Sequence, residues 1–143
     1  MNIRLITSLA ALILVLGACN STKKTILQNP FSEGMWELEY ISGSSIAFEG
    51  LFPNTKPAIS FNATNKEVRG TNSCNGYWAK YSSEGQSIVF GEPGPTTMMY
   101  CGEGEKVFLQ TMAKINKYNF DSDGKLQLLI NEVPMMRFKK PNP

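Results

Sequence analysis

The sequence predicts an α+β domain: a mostly antiparallel sheet in an open, barrel-like arrangement, with one helix inserted late in the chain. Two patterns carry this expectation. Over most of the chain from Phe31 onward, apolar residues recur with period two, the spacing at which strand side chains alternate between faces. In one late stretch alone the spacing changes to four and three, as on one face of a helix.

Trp36, Leu38 and Tyr40 alternate with Glu37 and Glu39, which predicts a strand with one dry and one wet face. Residues 42–57 are rich in Gly, Ser, Asn and Pro, with Phe48, Leu51 and Phe52 interspersed, and read as a long loop that tucks its apolar side chains beneath itself. Ile59 and Phe61 mark the next strand, residues 62–66 a turn, and residues 67–71 its return around Val68. Asn75 and Gly76 supply residue types that adopt left-handed backbone readily, as a tight turn requires. Tyr77, Ala79 and Tyr81 then alternate along another strand, with Trp78 and Lys80 on its opposite face. Residues 87–91 pair back across a turn at 83–86, until Pro93, Gly94 and Pro95 break the ladder. Residues 96–101 fit no pattern.

Phe108, Met112 and Ile115, widened by Val107 and Leu109, form the stripe of an amphipathic helix. Glu103 and Glu105 stand at its start and Lys114 and Lys117 at its end, where the helix dipole favours each charge by about 0.3–1 kcal/mol. Tyr118 and Phe120 alternate after it, residues 121–124 turn, and Leu126, Leu128 and Ile130 alternate again. A last strand covers residues 135–138.

Residues 1–18 are set apart from this domain. Arg4 is the one charge, and residues 5–16 are an almost unbroken apolar run. A spanning helix needs about 20 apolar residues, whereas a signal-peptide core needs about 7 to 15, so the run reads as a signal peptide. It ends in Leu16, Gly17, Ala18 and Cys19, which resembles the bacterial lipobox. That resemblance implies cleavage before Cys19 and lipid on its thiol and on the freed amine. Each buried methylene adds about 0.8 kcal/mol to membrane attachment, and two or three chains hold where one binds only reversibly. Residues 19–30 read as a lipidated tether and 31–140 as the folded domain. The expected location is the cell envelope. Asn20 stands where enteric lipoproteins retained at the inner membrane carry Asp, which favours the outer membrane, facing the periplasm, in a Gram-negative host.

The chain has 143 residues, with 14 basic and 12 acidic side chains and a net charge of +2; loss of Arg4 with the leader brings this to +1. There is no basic stripe for a phosphate backbone, which argues against nucleic acid as a partner.

Beyond Cys19 the domain holds Cys74 and Cys101, 27 positions apart, in a chain that leaves the reducing cytoplasm. A disulfide is the plain inference, and closing that loop stabilises the fold by about 3.5 kcal/mol on a chain-entropy model. Two buried free thiols, or a nucleophile or metal ligand, are the alternatives. The last needs neighbouring groups that are scarce here, because the chain contains no histidine. The same absence removes Ser-His-Asp triads and the usual base at neutral pH. Asp121 and Asp123 before Gly124 superficially suggest a calcium loop, but its remaining acidic ligands are missing and a turn accounts for them. Glu103 and Glu105 are already explained by the helix start. No phosphate-cradling loop or nucleophile elbow is present. The expectation is a protein that is not an enzyme and uses no metal or cofactor.

Gly34, Trp36 and Leu38, then Pro57 and Phe61, then Gly70 with Cys74, Asn75 and Gly76, then Thr97, Met99 and Cys101, in this order, resemble the META domain family, which includes HslJ-like heat-shock lipoproteins. Phe108, Tyr118 and Leu126 extend the likeness over nearly all of residues 31–139. The resemblance implies a compact, mostly antiparallel β domain with a helix, often lipid-anchored in the bacterial envelope and associated with stress tolerance, and it brings no catalytic residues. Met35, Met98 and Tyr100 depart from the family pattern and suggest extra apolar surface near Cys101. The function expected is a non-enzymatic, lipid-anchored envelope protein that supports envelope integrity through a protein or lipid partner. The alternative is a module that binds a small molecule or inhibits an enzyme, with Tyr77, Trp78, Tyr81 and Tyr100 as candidate binding residues.

Overall fold

Alternation of dry and wet side chains recurs in almost every strand of the computed structural model, which describes Phe31 and residues 34–141. The leader, Cys19 and the rest of the tether before Phe31 lie outside the described residues. Eight antiparallel strands follow in order: β1 (Met35–Ile41), β2 (Ala58–Asn62), β3 (Glu67–Thr71), β4 (Gly76–Glu84), β5 (Ser87–Phe90), β6 (Lys117–Phe120), β7 (Leu126–Ile130) and β8 (Val133–Lys139). Each strand pairs with its neighbour in sequence, and β8 returns to pair with β1. The sheet is therefore a closed ring, not the open arrangement expected. Closure leaves no long strand edge exposed.

Leu38, Ile59, Val68, Ala79, Ile88, Leu126, Leu128, Met136 and Phe138 are completely buried within the ring. Two plugs close its ends. At one end α2 (Glu103–Met112) inserts Phe108, whose ring meets Tyr77 edge-on at 5.4 Å. At the other, Phe31 packs against Phe61, Tyr118 and Tyr81 with centroids 4.4, 4.8 and 5.5 Å away. Tyr77 and Tyr81 stand four residues apart on β4, so the two ends are separated by about 13 Å along the strand.

Several elements differ from expectation for identifiable reasons. A bulge between Leu38 and Tyr40 shifts β1 against β8, turning Tyr40 outward and Ile41 into the core. The expected loop at 42–57 contains a short helix, α1 (Phe48–Leu51), which buries Leu51 and Phe52, so the described residues hold two helices and not one. Helix α2 stops at Met112; Lys114 lies beyond it and Lys117 belongs to β6, so neither sits in the last helical turn. No described helix is long and apolar enough to cross a membrane.

One glycine is fixed by close approach. Gly70 faces Ile59 in the β2–β3 ladder, and a Cβ there would lie 1.8 Å from the Ala58 carbonyl oxygen. Both partners are backbone locked in the sheet and cannot yield as a side chain would. On the outer surface two carboxylates gather cations. Glu67 accepts hydrogen bonds from Lys80, at 2.9 Å, and from Arg69, at 2.8 Å, and both hold its carboxyl below the usual range. Partial burial pushes Glu39 up, but bonds from Lys125 at 2.8 Å and Arg137 at 2.5 Å outweigh it, and its pKa is lowered too.

Gly70→Ala should lower unfolding free energy by about 3 kcal/mol or more in urea titration, whereas Gly91→Ala, with room for a methyl, should stay within about 0.5 kcal/mol. A second expectation concerns acid. Glu39 and Glu67 bind protons less readily folded than unfolded, so their contribution is complete above the ordinary carboxylate value of 4.5 and fades as pH falls through their lowered values. The melting temperature should decline below about pH 4.5, and the double variant Glu39→Gln with Glu67→Gln should show a flatter decline over that window.

Candidate functional site

Between β5 and α2 the chain runs through residues 91–102 without regular structure, yet it is fastened at many points. Gly91 N–H donates to the Lys80 carbonyl at 2.8 Å and Gly94 N–H to the Trp78 carbonyl at 2.9 Å. A Cβ on Gly94 would fall 1.8 Å from the Trp78 indole, so only glycine lets the loop lie flat on that ring. The indole N–H reaches the Pro95 carbonyl at 3.4 Å. Cys74 and Cys101 form a disulfide, with Cα atoms 5.7 Å apart, that joins the β3–β4 turn to the end of the loop.

Asn75 is the centre of this region and only 1% exposed. Its Oδ1 accepts from Thr97 Oγ1 and from Met99 N–H, both at 3.0 Å. Its Nδ2 lies 2.7 Å from the Met99 carbonyl oxygen, 3.0 and 3.1 Å from the two Glu105 carboxylate oxygens and 3.1 Å from Cys101 Sγ. Asn72 donates to Glu105 Oε1 at 2.8 Å, and its N–H closes the turn onto the Asn75 carbonyl at 3.1 Å. The turn was expected to use left-handed backbone at Asn75 and Gly76. Instead Ser73 carries the positive φ, at 144°, which frees the Asn75 side chain to point inward.

Beneath the loop is an open cleft of about 560 Å³. Tyr77 and Leu109 line it from below, Asn72, Asn75 and Glu105 from the turn and helix side, and Pro93 to Tyr100 from the loop. Burial pushes the Tyr77 hydroxyl far up, so it remains protonated at any physiological pH. Asn72 Oδ1 is buried without a hydrogen-bond partner among the described residues. The loop side chains point outward: Met98 is 97% exposed, Tyr100 88% and Met99 63%.

The four candidate aromatics separate. Tyr77 and Tyr100 line this cleft; Trp78 is covered by Gly94 on the outer face, and Tyr81 belongs to the aromatic plug at the opposite end. Asn75, Asn72 and Glu105 were not singled out as site residues. Glu105 had an explanation in the helix dipole and Asn75 in the turn, and sequence spacing does not show that 72, 75, 99 and 105 converge. Among the described residues no group of three or more His, Cys, Asp or Glu is placed to hold a metal. Asp121 accepts from the N–H groups of Asp123 and Lys125 at 3.0 and 2.9 Å, which makes it a turn residue. The cleft offers apolar contact and hydrogen bonding, and its one carboxylate, Glu105, is engaged by two amides.

Asn75→Ala should lower stability by about 3 kcal/mol and speed hydrogen exchange at the Met99 amide. Asn75→Asp, close to isosteric, should do no better, because it removes the donors and sets a second carboxylate beside Glu105. Exchange-resolved mass spectrometry with denaturant titration checks both.

An NMR structure of a protein from Burkholderia xenovorans shares the fold, with a TM-score of 0.58 at 18% identity over 80% of this chain and 90% of that one. No functionally curated protein matches the chain. The META domain model matches residues 29–142, which take in the whole ring together with the disulfide and the loop it fastens. The chain therefore belongs to the META domain family.

Proposed function

We propose that this is a non-enzymatic, lipid-anchored protein of the cell envelope that docks a partner protein through the fastened loop at 91–102, and supports envelope integrity under stress by doing so. The observation that carries this reading is the contrast within the loop. Its backbone is pinned by Asn75, Trp78, Lys80 and a disulfide, while Met98, Met99 and Tyr100 are turned to solvent. Exposing three large apolar side chains is unfavourable for solubility, and ordering the segment that carries them adds an entropic cost. A rigid apolar display of this kind lowers the cost of ordering on binding, and methionine adapts its shape to what it meets.

Geometry favours a protein over the anchoring bilayer as the partner. The tether joins the ring at Phe31, beside Tyr81, whereas the cleft lies by Tyr77 at the other end of β4. A lipid on Cys19 would attach the domain at its Phe31 end, opposite the loop. The cleft itself gives a second reading some support, since its volume falls in the range of small-molecule sites of about 300 to 1,000 Å³ and two candidate tyrosines line it.

The test places a photo-reactive residue at position 100 in whole cells, with position 89, an exposed site on β5, as control. Tyr100 should yield a discrete cross-linked envelope protein and Val89 none, and Cys19→Ala should move the protein from the membrane to the soluble fraction. Equal labelling from both positions would remove the loop as the docking element.

A further inference from the structure

Met99 is held as a strand residue is held. Its N–H donates to Asn75 Oδ1 at 3.0 Å and its carbonyl accepts from Asn75 Nδ2 at 2.7 Å. Exchange of both main-chain groups with one partner is the pairing of an antiparallel ladder, and here a side-chain amide replaces the partner's peptide. In an extended chain successive residues turn their N–H and carbonyl groups to opposite sides, which would direct those of Met98 and Tyr100 away from Asn75. Neither residue's backbone has a hydrogen-bond partner among the described residues. Every strand of the ring has neighbours on both sides; this segment is satisfied on one side alone.

We infer that residues 98–100 form a docking edge for an extended peptide segment of a partner protein, which bonds to the free main-chain groups of Met98 and Tyr100 and lays apolar side chains against Met98, Tyr100 and the cleft. This rests on the docking function proposed above and names the form in which the partner is recognised. Donors and acceptors spaced two residues apart match a polypeptide backbone, as in strand addition to a sheet edge. A lipid chain offers no such series. Pro95 on one side and the Cys101 disulfide on the other keep the edge short, which suits a segment of a few residues and disfavours the long edge-to-edge pairing that leads to aggregation.

The experiment uses the mature, lipidated full chain in detergent micelles and a displayed library of random eight-residue peptides. Selected peptides should slow hydrogen exchange at the Met98 and Tyr100 amides. N-methylation at alternate peptide positions should weaken binding by about three- to tenfold per position, and at the intervening positions should not. Met98→Pro removes one free N–H while sparing the Met99 contact to Asn75; it should weaken binding similarly with the melting temperature unchanged. Binding that ignores N-methylation everywhere, or leaves both amides unprotected, overturns the inference. So does failure to select any peptide, or binding only of a small apolar molecule or a second copy of the chain. If no peptide binds but position 100 still cross-links a partner in cells, the docking function stands and only the peptide mode falls; if neither occurs, both fall.

Discussion

Asn75 brings two acceptor sites and two N–H donors into a place where water does not reach, and the upper end of the molecule is arranged to satisfy them. Thr97 and the Met99 N–H fill the acceptor, while the Met99 carbonyl and the Glu105 carboxylate take the donors. Through these contacts one amide links three segments that are distant in sequence: the β3–β4 turn, the 91–102 loop and the first turn of α2. Remove it and all three lose their common partner at once, a penalty larger than the worth of any single bond. The disulfide acts on the same junction by a different means, because it limits how far the turn and the loop separate in the unfolded chain while Asn75 fixes how they meet in the folded one.

That junction matters because the ring closes thinly between β5 and β6, the two strands that flank the insertion. β5 and β6 share one paired position, Ser87 with Lys117, whereas β2 and β3 pair along five. The chain leaves the sheet after Phe90, builds the loop and α2, and returns to it at Lys117. Phe108 then fills the ring end, and Ile88 N–H to the Asn116 carbonyl and Tyr118 N–H to the Gln86 carbonyl complete the seam. Closure thus depends on an insertion whose own position is set by Asn75 and Glu105, so packing of the core and presentation of the loop are coupled.

Much of the ring was legible in the sequence because period two and period near 3.6 report burial directly, and burial decides which side of each strand faces inward. Trp36, Ile59, Phe61, Tyr77, Ala79 and Leu126 follow that rule. It failed at Tyr40, where a bulge adds a residue that no local pattern announces. It was silent on ring closure, which depends on β8 meeting β1 across nearly the whole chain. The site was least legible. Asn75 has the composition of a turn residue, Glu105 that of a helix start, and residues 96–101 no period at all. Their meaning comes from convergence in space, which side-chain hydrogen bonds create and periodicity does not record.

In the function proposed, the two ends of β4 take different tasks. Phe31 is the described residue nearest the tether, and it is also a plug, packed among Phe61, Tyr81 and Tyr118. In the lipid-anchored form proposed, the chain from Cys19 to Phe31 reaches at most about 40 Å when fully extended. Any pull from the membrane is delivered to that aromatic cluster, carried on β2, β4 and β6. The loop end, with the exposed Met98 and Tyr100, lies on the far side and receives no direct load. A binding edge whose hydrogen bonds must be placed to within a few tenths of an ångström is best kept at that end. The segregation of tether and loop is the arrangement such a task requires.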